Sequence, residues 1–307
     1  MVEKPAIAVI GAGLMGAGIA LVFVAAGHRV ALFDALEGAR ATALLRIRDN
    51  FKAVGLDPLA ADAIIMHSQL ATAVADADFV IEAAPEDLAL KQALFAEIEE
   101  AARPTAILAS NTSVIPITAI MARLRNKSRA LGTHWWNPPY LVPLVEVIRT
   151  VDTSDAAVEA TLKLLLLVGK TAVEVKKDIP GFIGNRLQHA LWREAIALVA
   201  DGVCDAKTVD DVVKASFGAR LAVLGPLENA DLVGTDLTKS IHNYVLPALD
   251  RSTAASPYLD RLVEQGRLGF KSGEGFRTWS PEQQAALRER VTNHLRASFG
   301  APVSVRE

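Results

Sequence analysis

Short apolar runs alternate with longer helical periods through the first half of the chain. Residues 6–10, 29–33, 79–83, 106–109 and 129–133 are brief, apolar and bounded by turn-forming residues, and they predict strands. Residues 14–26, 88–102 and 154–168 carry helical patterns, and two further strands are expected at 144–148 and 171–175. Strands alternating with helices predict a parallel sheet with crossover helices. After Lys177 the texture changes. Asp178-Ile179-Pro180-Gly181 reads as a turn, and beyond it helical periods dominate: 182–201, 206–215, 237–249 and a last helix opening at Pro281. Ser280 is placed to cap that last helix, with proline at its first position and Gln283 completing a capping box. The expected architecture is α/β, a doubly wound sheet over residues 1–178 followed by an all-α domain over residues 179–307.

Composition narrows the function classes. The 307 residues are 51% hydrophobic and 22% charged with a net charge of −3, which describes a globular chain with ample core and no electrostatic pull toward nucleic acid or anionic membrane. The single cysteine, Cys204, excludes an intramolecular disulfide, and a cytoplasmic protein is expected. Residues 5–27 lack a formal charge and imitate a signal peptide or membrane anchor. Gly11, Gly13, Gly16 and Gly18 interrupt that stretch, so a buried strand, a turn and a buried helix describe it better. The six histidines show no ligand spacing, and no metal is expected.

Gly11-Ala12-Gly13-Leu14-Met15-Gly16 fits G-x-G-x-x-G between a predicted strand and a predicted helix. Gly11 permits the tight turn, Gly13 the approach of a pyrophosphate, and Gly16 the close packing of helix on strand, with the Leu14 and Met15 N–H groups at the helix start. The second strand ends at Asp34, 23 residues after Gly11. A carboxylate there accepts hydrogen bonds from a ribose 2′-OH and repels a 2′-phosphate, so the expected cofactor is NAD rather than NADP. The sheet is thus expected to be of the Rossmann type.

The strand 129–133 runs into His134, and Trp135-Trp136-Asn137-Pro138-Pro139 then turns the chain toward the strand 144–148. His134 and Glu146 therefore fall on neighbouring strands at the edge where cofactors bind. A histidine poised near neutrality can remove a hydroxyl proton, and a buried glutamate can fix its tautomer and stabilise the imidazolium. A satisfied strand-end histidine beside a solvent-facing acid would look the same from these residues alone.

A resemblance adds to that reading. Thr133-His134-Trp135-Trp136-Asn137-Pro138 followed by Pro143-Leu144-Val145-Glu146-Val147-Ile148 resembles the signature of the 3-hydroxyacyl-CoA dehydrogenase family. So do Ile81-Glu82-Ala83-Ala84-Pro85-Glu86, Ser110-Asn111-Thr112-Ser113, Pro180-Gly181-Phe182-Ile183-Gly184-Asn185-Arg186, and the closing run from Leu268 to Phe276. The resemblance implies an NAD-dependent oxidoreductase with a Rossmann-type domain and a helical domain through which two copies dimerise. It makes His134 the general base and Glu146 its orienting partner. It sets Ser113 and Asn185 where the family holds the reacting oxygen and positions the histidine. It brings Glu86, Lys91, Ser113, Asn137 and Lys271 to the nicotinamide half of NAD.

The chain also departs from the acyl-CoA pattern. The family's CoA enzymes carry a helical hairpin between the second strand and the next, with serine and lysine contacts to CoA; here residues 35–78 are short for it, and those positions fall near Asn50 and Asp57. Arg46, Arg48 and Lys52 are the available substitutes, unless they only line a solvated helix face. The Asn137-Pro138-Pro139 turn looks more like the branch acting on small polar hydroxy acids such as L-gulonate, carnitine or pyridine carboxylates, for which Arg186 and Arg220 are candidate carboxylate clamps. The expected substrate is a small hydroxy acid, the alternative a short-chain 3-hydroxyacyl-CoA of fatty acid metabolism. A β-hydroxyacid dehydrogenase would need a lysine that residues 182–202 lack, and a crystallin-like protein that merely binds NAD would have no use for the retained His134, Glu146, Ser113 and Asn185.

Overall fold

The computed structural model describes residues 4–300. They fall into two compact units, the first running through Asn185 and resuming at Arg290, the second being Arg186–Glu289. The first unit thus reaches beyond the turn at Asp178 and keeps Phe182, which is fully buried in its core.

The first unit is built on eight strands: β1 (Ile7–Ile10), β2 (Val30–Phe33), β3 (Ile64–His67), β4 (Phe79–Glu82), β5 (Ile107–Ser110), β6 (Ala130–Trp135), β7 (Leu144–Ile148) and β8 (Thr171–Val175). They form one sheet in the order β3-β2-β1-β4-β5-β6-β7-β8. Neighbours from β3 to β6 are parallel, β7 pairs antiparallel with β6, and β8 is parallel to β7. The reversal has a simple cause: the link between β6 and β7 is too short for a crossover helix, so the chain can only fold back on itself.

Helices α1 (Leu14–Ala25), α2 (Glu37–Ala53), α3 (Leu70–Val74), α4 (Leu88–Ala101), α5 (Ile117–Ile120) and α6 (Asp155–Leu167) cover the sheet. Because strand side chains alternate faces, Ile7 and Val9 of β1 enter one core cluster and Ala8 and Ile10 the other. The first cluster takes Phe23 of α1, Ile47 and Phe51 of α2 and Leu164 of α6; the second takes Val74 of α3, Phe95 and Ile98 of α4 and Ile117 of α5. Burying each such side chain contributes about 1.5–3 kcal/mol, and the two faces together hold the strand ends in register.

The segment between β2 and β4 corrects the sequence reading, which drew no element there. It holds α2, a 3₁₀ turn (Pro58–Ala63) packed on it, the edge strand β3 and α3. Asp57 caps the 3₁₀ turn, its carboxylate accepting the Leu59 N–H at 2.9 Å.

Helix α7 (Gly184–Ala200) leads into the second unit, which contains α8 (Ala206–Ala215), α9 (Pro226–Val233), α10 (Thr235–Val245) and α11 (Pro257–Glu264). The closing helix α12 (Pro281–Phe299) starts with the expected capping box: the Ser280 N–H donates to Gln283 Oε1 at 2.9 Å and the Gln283 N–H to Ser280 Oγ at 3.2 Å. No described helix is long and apolar enough to cross a membrane.

Candidate active site

The glycine loop joins β1 to α1 and has the form a dinucleotide requires. Gly11 has φ +103°, and a Cβ on it would lie 2.6 Å from the Ala83 carbonyl oxygen. A Cβ on Gly16 would fall 1.7 Å from the Gly11 oxygen, so α1 packs on the loop as only glycine allows. Gly13 has nothing within 4 Å of its missing Cβ and is the uncapped N-cap of α1, which leaves first-turn N–H groups open to an anion. Leu14 is exposed and Met15 half-buried beside it. At the end of β2, Asp34 Oδ2 accepts the Ala12 N–H at 2.8 Å and Oδ1 the Leu36 N–H at 2.9 Å, fixing the carboxylate against the loop. Arg40 of α2 donates to the carbonyls of Asp34 and Ala35 at 2.7 and 3.0 Å.

His134 and Glu146 are register partners in the β6–β7 ladder, both buried, with Nδ1 2.7 Å from Oε2. The other carboxylate oxygen, Oε1, accepts the N–H groups of Ile183 and Gly184 at 2.9 and 3.1 Å, where α7 begins. Two successive left-handed residues, Gly181 at φ 74° and Phe182 at φ 51°, aim those N–H groups. A non-glycine residue held there costs about 1–3 kcal/mol, and the surrounding contacts maintain it. Burial would raise the Glu146 carboxyl, but hydrogen bonds from His134, Gly184 and Ile183 and the His134 charge hold it below its ordinary value. An ionised carboxylate only accepts, so Nδ1 carries the proton it donates to Glu146. Among the described residues Nε2 has no hydrogen-bond partner, and the imidazole is bracketed by Trp136 and Phe182, whose ring centroids lie 5.2 and 5.6 Å away.

Ser113 stands on the loop after β5 with its backbone held at both ends. Its N–H donates to Glu86 Oε1 at 3.0 Å and its carbonyl accepts Asn185 Nδ2 at 2.8 Å, while its side chain is exposed. Glu86 Oε1 also accepts the Thr112 hydroxyl and the Val114 N–H. Burial raises the Glu86 carboxyl; these donors and the Lys91 charge outweigh it and lower the carboxyl below its ordinary value. Lys91 is fully buried, not a solvated helix residue: its ammonium lies 2.6 Å from Glu82 Oε1, 3.2 Å from the Ala84 carbonyl and 3.6 Å from Glu86 Oε2. Asn137 is exposed on the turn after β6, and Lys271 is an exposed residue of the second unit, as are the candidate clamps Arg186 and Arg220.

Two structural contributors stand in family-like runs of the sequence that assign them no role. Glu82, fully buried at the end of β4, anchors Lys91 and also accepts the Ser110 hydroxyl at 2.6 Å and the Ala84 N–H at 2.6 Å. Asn111 Oδ1 accepts the Trp135 N–H at 3.0 Å and ties the Ser113 loop to the strand bearing His134. An acid ending an otherwise apolar strand, Phe79-Val80-Ile81-Glu82, was the available signal for the first.

Two family models match the chain. Residues 6–179 match the family model described as 3-hydroxyacyl-CoA dehydrogenase, NAD binding domain, and residues 181–279 match that of 3-hydroxyacyl-CoA dehydrogenase, C-terminal domain. The chain is 34% identical over 287 residues to 5-formyl-3-hydroxy-2-methylpyridine 4-carboxylate 5-dehydrogenase of Mesorhizobium japonicum, covering 92% of this chain and 93% of that one. It is 38% identical over 282 residues to a probable 3-hydroxybutyryl-CoA dehydrogenase of Bacillus subtilis, covering 89% and 97%. A crystal structure of a 5-formyl-3-hydroxy-2-methylpyridine 4-carboxylic acid 5-dehydrogenase superposes with a TM-score of 0.88 at 33% identity, over 98% of this chain and 100% of that one. The chain belongs to the 3-hydroxyacyl-CoA dehydrogenase family of NAD-dependent oxidoreductases acting on hydroxyl groups.

Proposed function

We propose that this dehydrogenase oxidises the secondary alcohol of a small free hydroxy acid, with His134 as general base and Glu146 as its orienting partner. The observation that carries the chemistry is the 2.7 Å contact between Nδ1 and a carboxylate whose second oxygen is itself held by two N–H groups. The hydroxyl proton passes to His134 Nε2 as the carbonyl forms, and Glu146 stabilises the resulting imidazolium. NAD, when bound, accepts the hydride. The Ser113 hydroxyl holds the reacting oxygen, with Asn185 acting through the Ser113 carbonyl. Glu86 and Asn137 serve the nicotinamide side, with Lys91 buried behind Glu86.

The disposition of basic residues supports a free acid over a CoA ester. Arg48 is paired with Asp62 at 2.5 Å, Lys52 with Asp49 at 3.4 Å, and Arg46 is turned onto the Ala12 carbonyl. Asp57, near the family's lysine position, is a carboxylate employed as a cap. Arg48 and Lys52 are thus paired with acids and are not presented as open donors to the 3′-phosphate of CoA. The relative from Mesorhizobium japonicum is named for a pyridine carboxylate, in keeping with this reading. The 38% identity to the Bacillus subtilis relative favours the second reading, a short-chain 3-hydroxyacyl-CoA.

Side-by-side kcat/KM values separate the two. A panel of free hydroxy acids should include one turned over faster than 3-hydroxybutyryl-CoA. Faster oxidation of 3-hydroxybutyryl-CoA than of every free hydroxy acid overturns the proposal. Homodimerisation through the second unit belongs to the same reading: α10 leaves Leu237, Ile241, Tyr244 and Val245 exposed along one helical face.

A further inference from the structure

Three of the four basic residues of α2, Arg46, Arg48 and Lys52, look alike in the sequence and are used differently. Arg48 and Lys52 face acids at the surface. Arg46 reaches back 34 positions to the glycine loop, where its Nη1 donates to the Ala12 carbonyl at 2.7 Å. Ala12 is fully buried between Gly11 and Gly13, and its own N–H is held by Asp34. The two polar groups of this one residue are therefore engaged by side chains of opposite charge. Asp34 has its carboxylate on the N–H, and Arg46 has its guanidinium on the carbonyl. Among the described residues no carboxylate lies within 4.0 Å of the Arg46 guanidinium, and the one bond it makes is to a neutral acceptor. Its positive charge is left without a counter-charge at the rim of a loop whose first-turn N–H groups are uncapped.

We propose that Arg46 is the cationic partner of the adenylate phosphate of NAD. A guanidinium has five N–H donors in a planar fork, so one can hold the loop while others meet a phosphate oxygen. The bond to Ala12 holds the group beside the dinucleotide loop, which assigns Arg46 to the cofactor and removes it from the set available to CoA. Asp34, which holds the N–H of that same residue, recognises the ribose, so the adenosine half of the cofactor is read by an anion and a cation tied to one buried residue.

Calorimetric titration of the whole protein with adenosine, 5′-AMP and 2′,5′-ADP tests this, with NADH fluorescence titration alongside. Wild type should bind 5′-AMP at least about tenfold more tightly than adenosine, the scale of a charge-assisted contact. Arg46→Met should abolish most of that gain and weaken NADH by about 10–100-fold, leaving adenosine affinity and the KM of the hydroxy substrate at saturating NAD unchanged. Arg46→Lys, which keeps the charge, should recover part of the gain. Equal loss of adenosine and 5′-AMP in Arg46→Met would show a merely structural prop and overturn the proposal. So would a loss confined to 2′,5′-ADP, which would place the guanidinium at the 2′ position, or one confined to the KM of a CoA thioester.

Discussion

His134 and Glu146 sit directly opposite one another in the one antiparallel ladder of the sheet, and their side chains meet at 2.7 Å. Because residues facing each other across a ladder share a side of the sheet, the register itself sets the pair; no loop has to find it. The short turn between β6 and β7 is therefore what sets the proposed base beside its partner.

Replacing the base tests that geometry first. His134→Ala should lower kcat by about 10²–10⁴-fold with NADH affinity nearly unchanged, the range for loss of general acid–base catalysis. Glu146→Gln should also slow turnover, since an amide can present a donor where Nδ1–H needs an acceptor, and it should alter the acid limb of the pH–rate profile. Wild-type rates in His134→Ala, or an unmoved profile in Glu146→Gln, would remove the pair from this role. Glu146 also links pH to stability. Its folded-state value lies below the ordinary one, so its contribution is present above the ordinary carboxylate range and is lost as pH falls through the folded value.

Cofactor choice tests the expected role of Asp34. A carboxylate fixed by the Ala12 and Leu36 N–H groups cannot swing away from a 2′-phosphate. Wild type should prefer NAD over NADP by at least about tenfold in kcat/KM, and Asp34→Ser should narrow the gap. A wild-type preference for NADP would refute the ribose assignment.

What the sequence made legible was whatever depended on local spacing. The glycine loop, the strand ending in Asp34, the His134 turn and the Ser280 capping box each lie within a few residues of the signal that predicts them. Edge strand β3 was not legible. It pairs on one side only and leaves Ile65 exposed, so neither a buried apolar run nor a clean alternation marks it. The contacts that Glu82 and Arg46 make were not legible for another reason. Their roles come from partners brought close by the fold, Lys91 and Ser110 for one and Ala12 for the other, and no spacing rule reports such contacts.

Assembly is testable through α10. Leu237, Ile241, Tyr244 and Val245 recur at the spacing of one helical face, and all four are exposed, Tyr244 at 87%. A face of that kind is expected to be covered by a second copy. Sedimentation velocity at micromolar concentration should show a dimer for wild type and a monomer for Ile241→Glu. A monomeric wild type would count against the proposed interface.

Lys170 supplies the last prediction, a pH dependence of stability. It is buried, donates to the carbonyls of Pro139 and Val142, and lies 5.5 Å from the Trp135 ring centroid. No carboxylate of the described residues is within 4.0 Å of it, and burial lowers its pKa from 10.5 to about 8. Between those two values the unfolded chain binds a proton that the folded chain does not, so the stability contributed by this group rises with pH across that window. The shift corresponds to about 3 kcal/mol, the cost of keeping the ammonium buried below the folded value. Lys170→Met removes that cost but leaves two carbonyls without a donor, at about 1–3 kcal/mol each. The two effects nearly balance at neutral pH, so the sign there discriminates little and the slope decides. Urea unfolding of both proteins at pH 7.5 and pH 10 should show the difference, wild type minus Lys170→Met, shifting toward wild type by about 2–3 kcal/mol as pH rises. A difference that stays level between those pH values would mean that Lys170 keeps its proton in the folded protein, and that the Pro139–Val142 turn is held by an ammonium throughout.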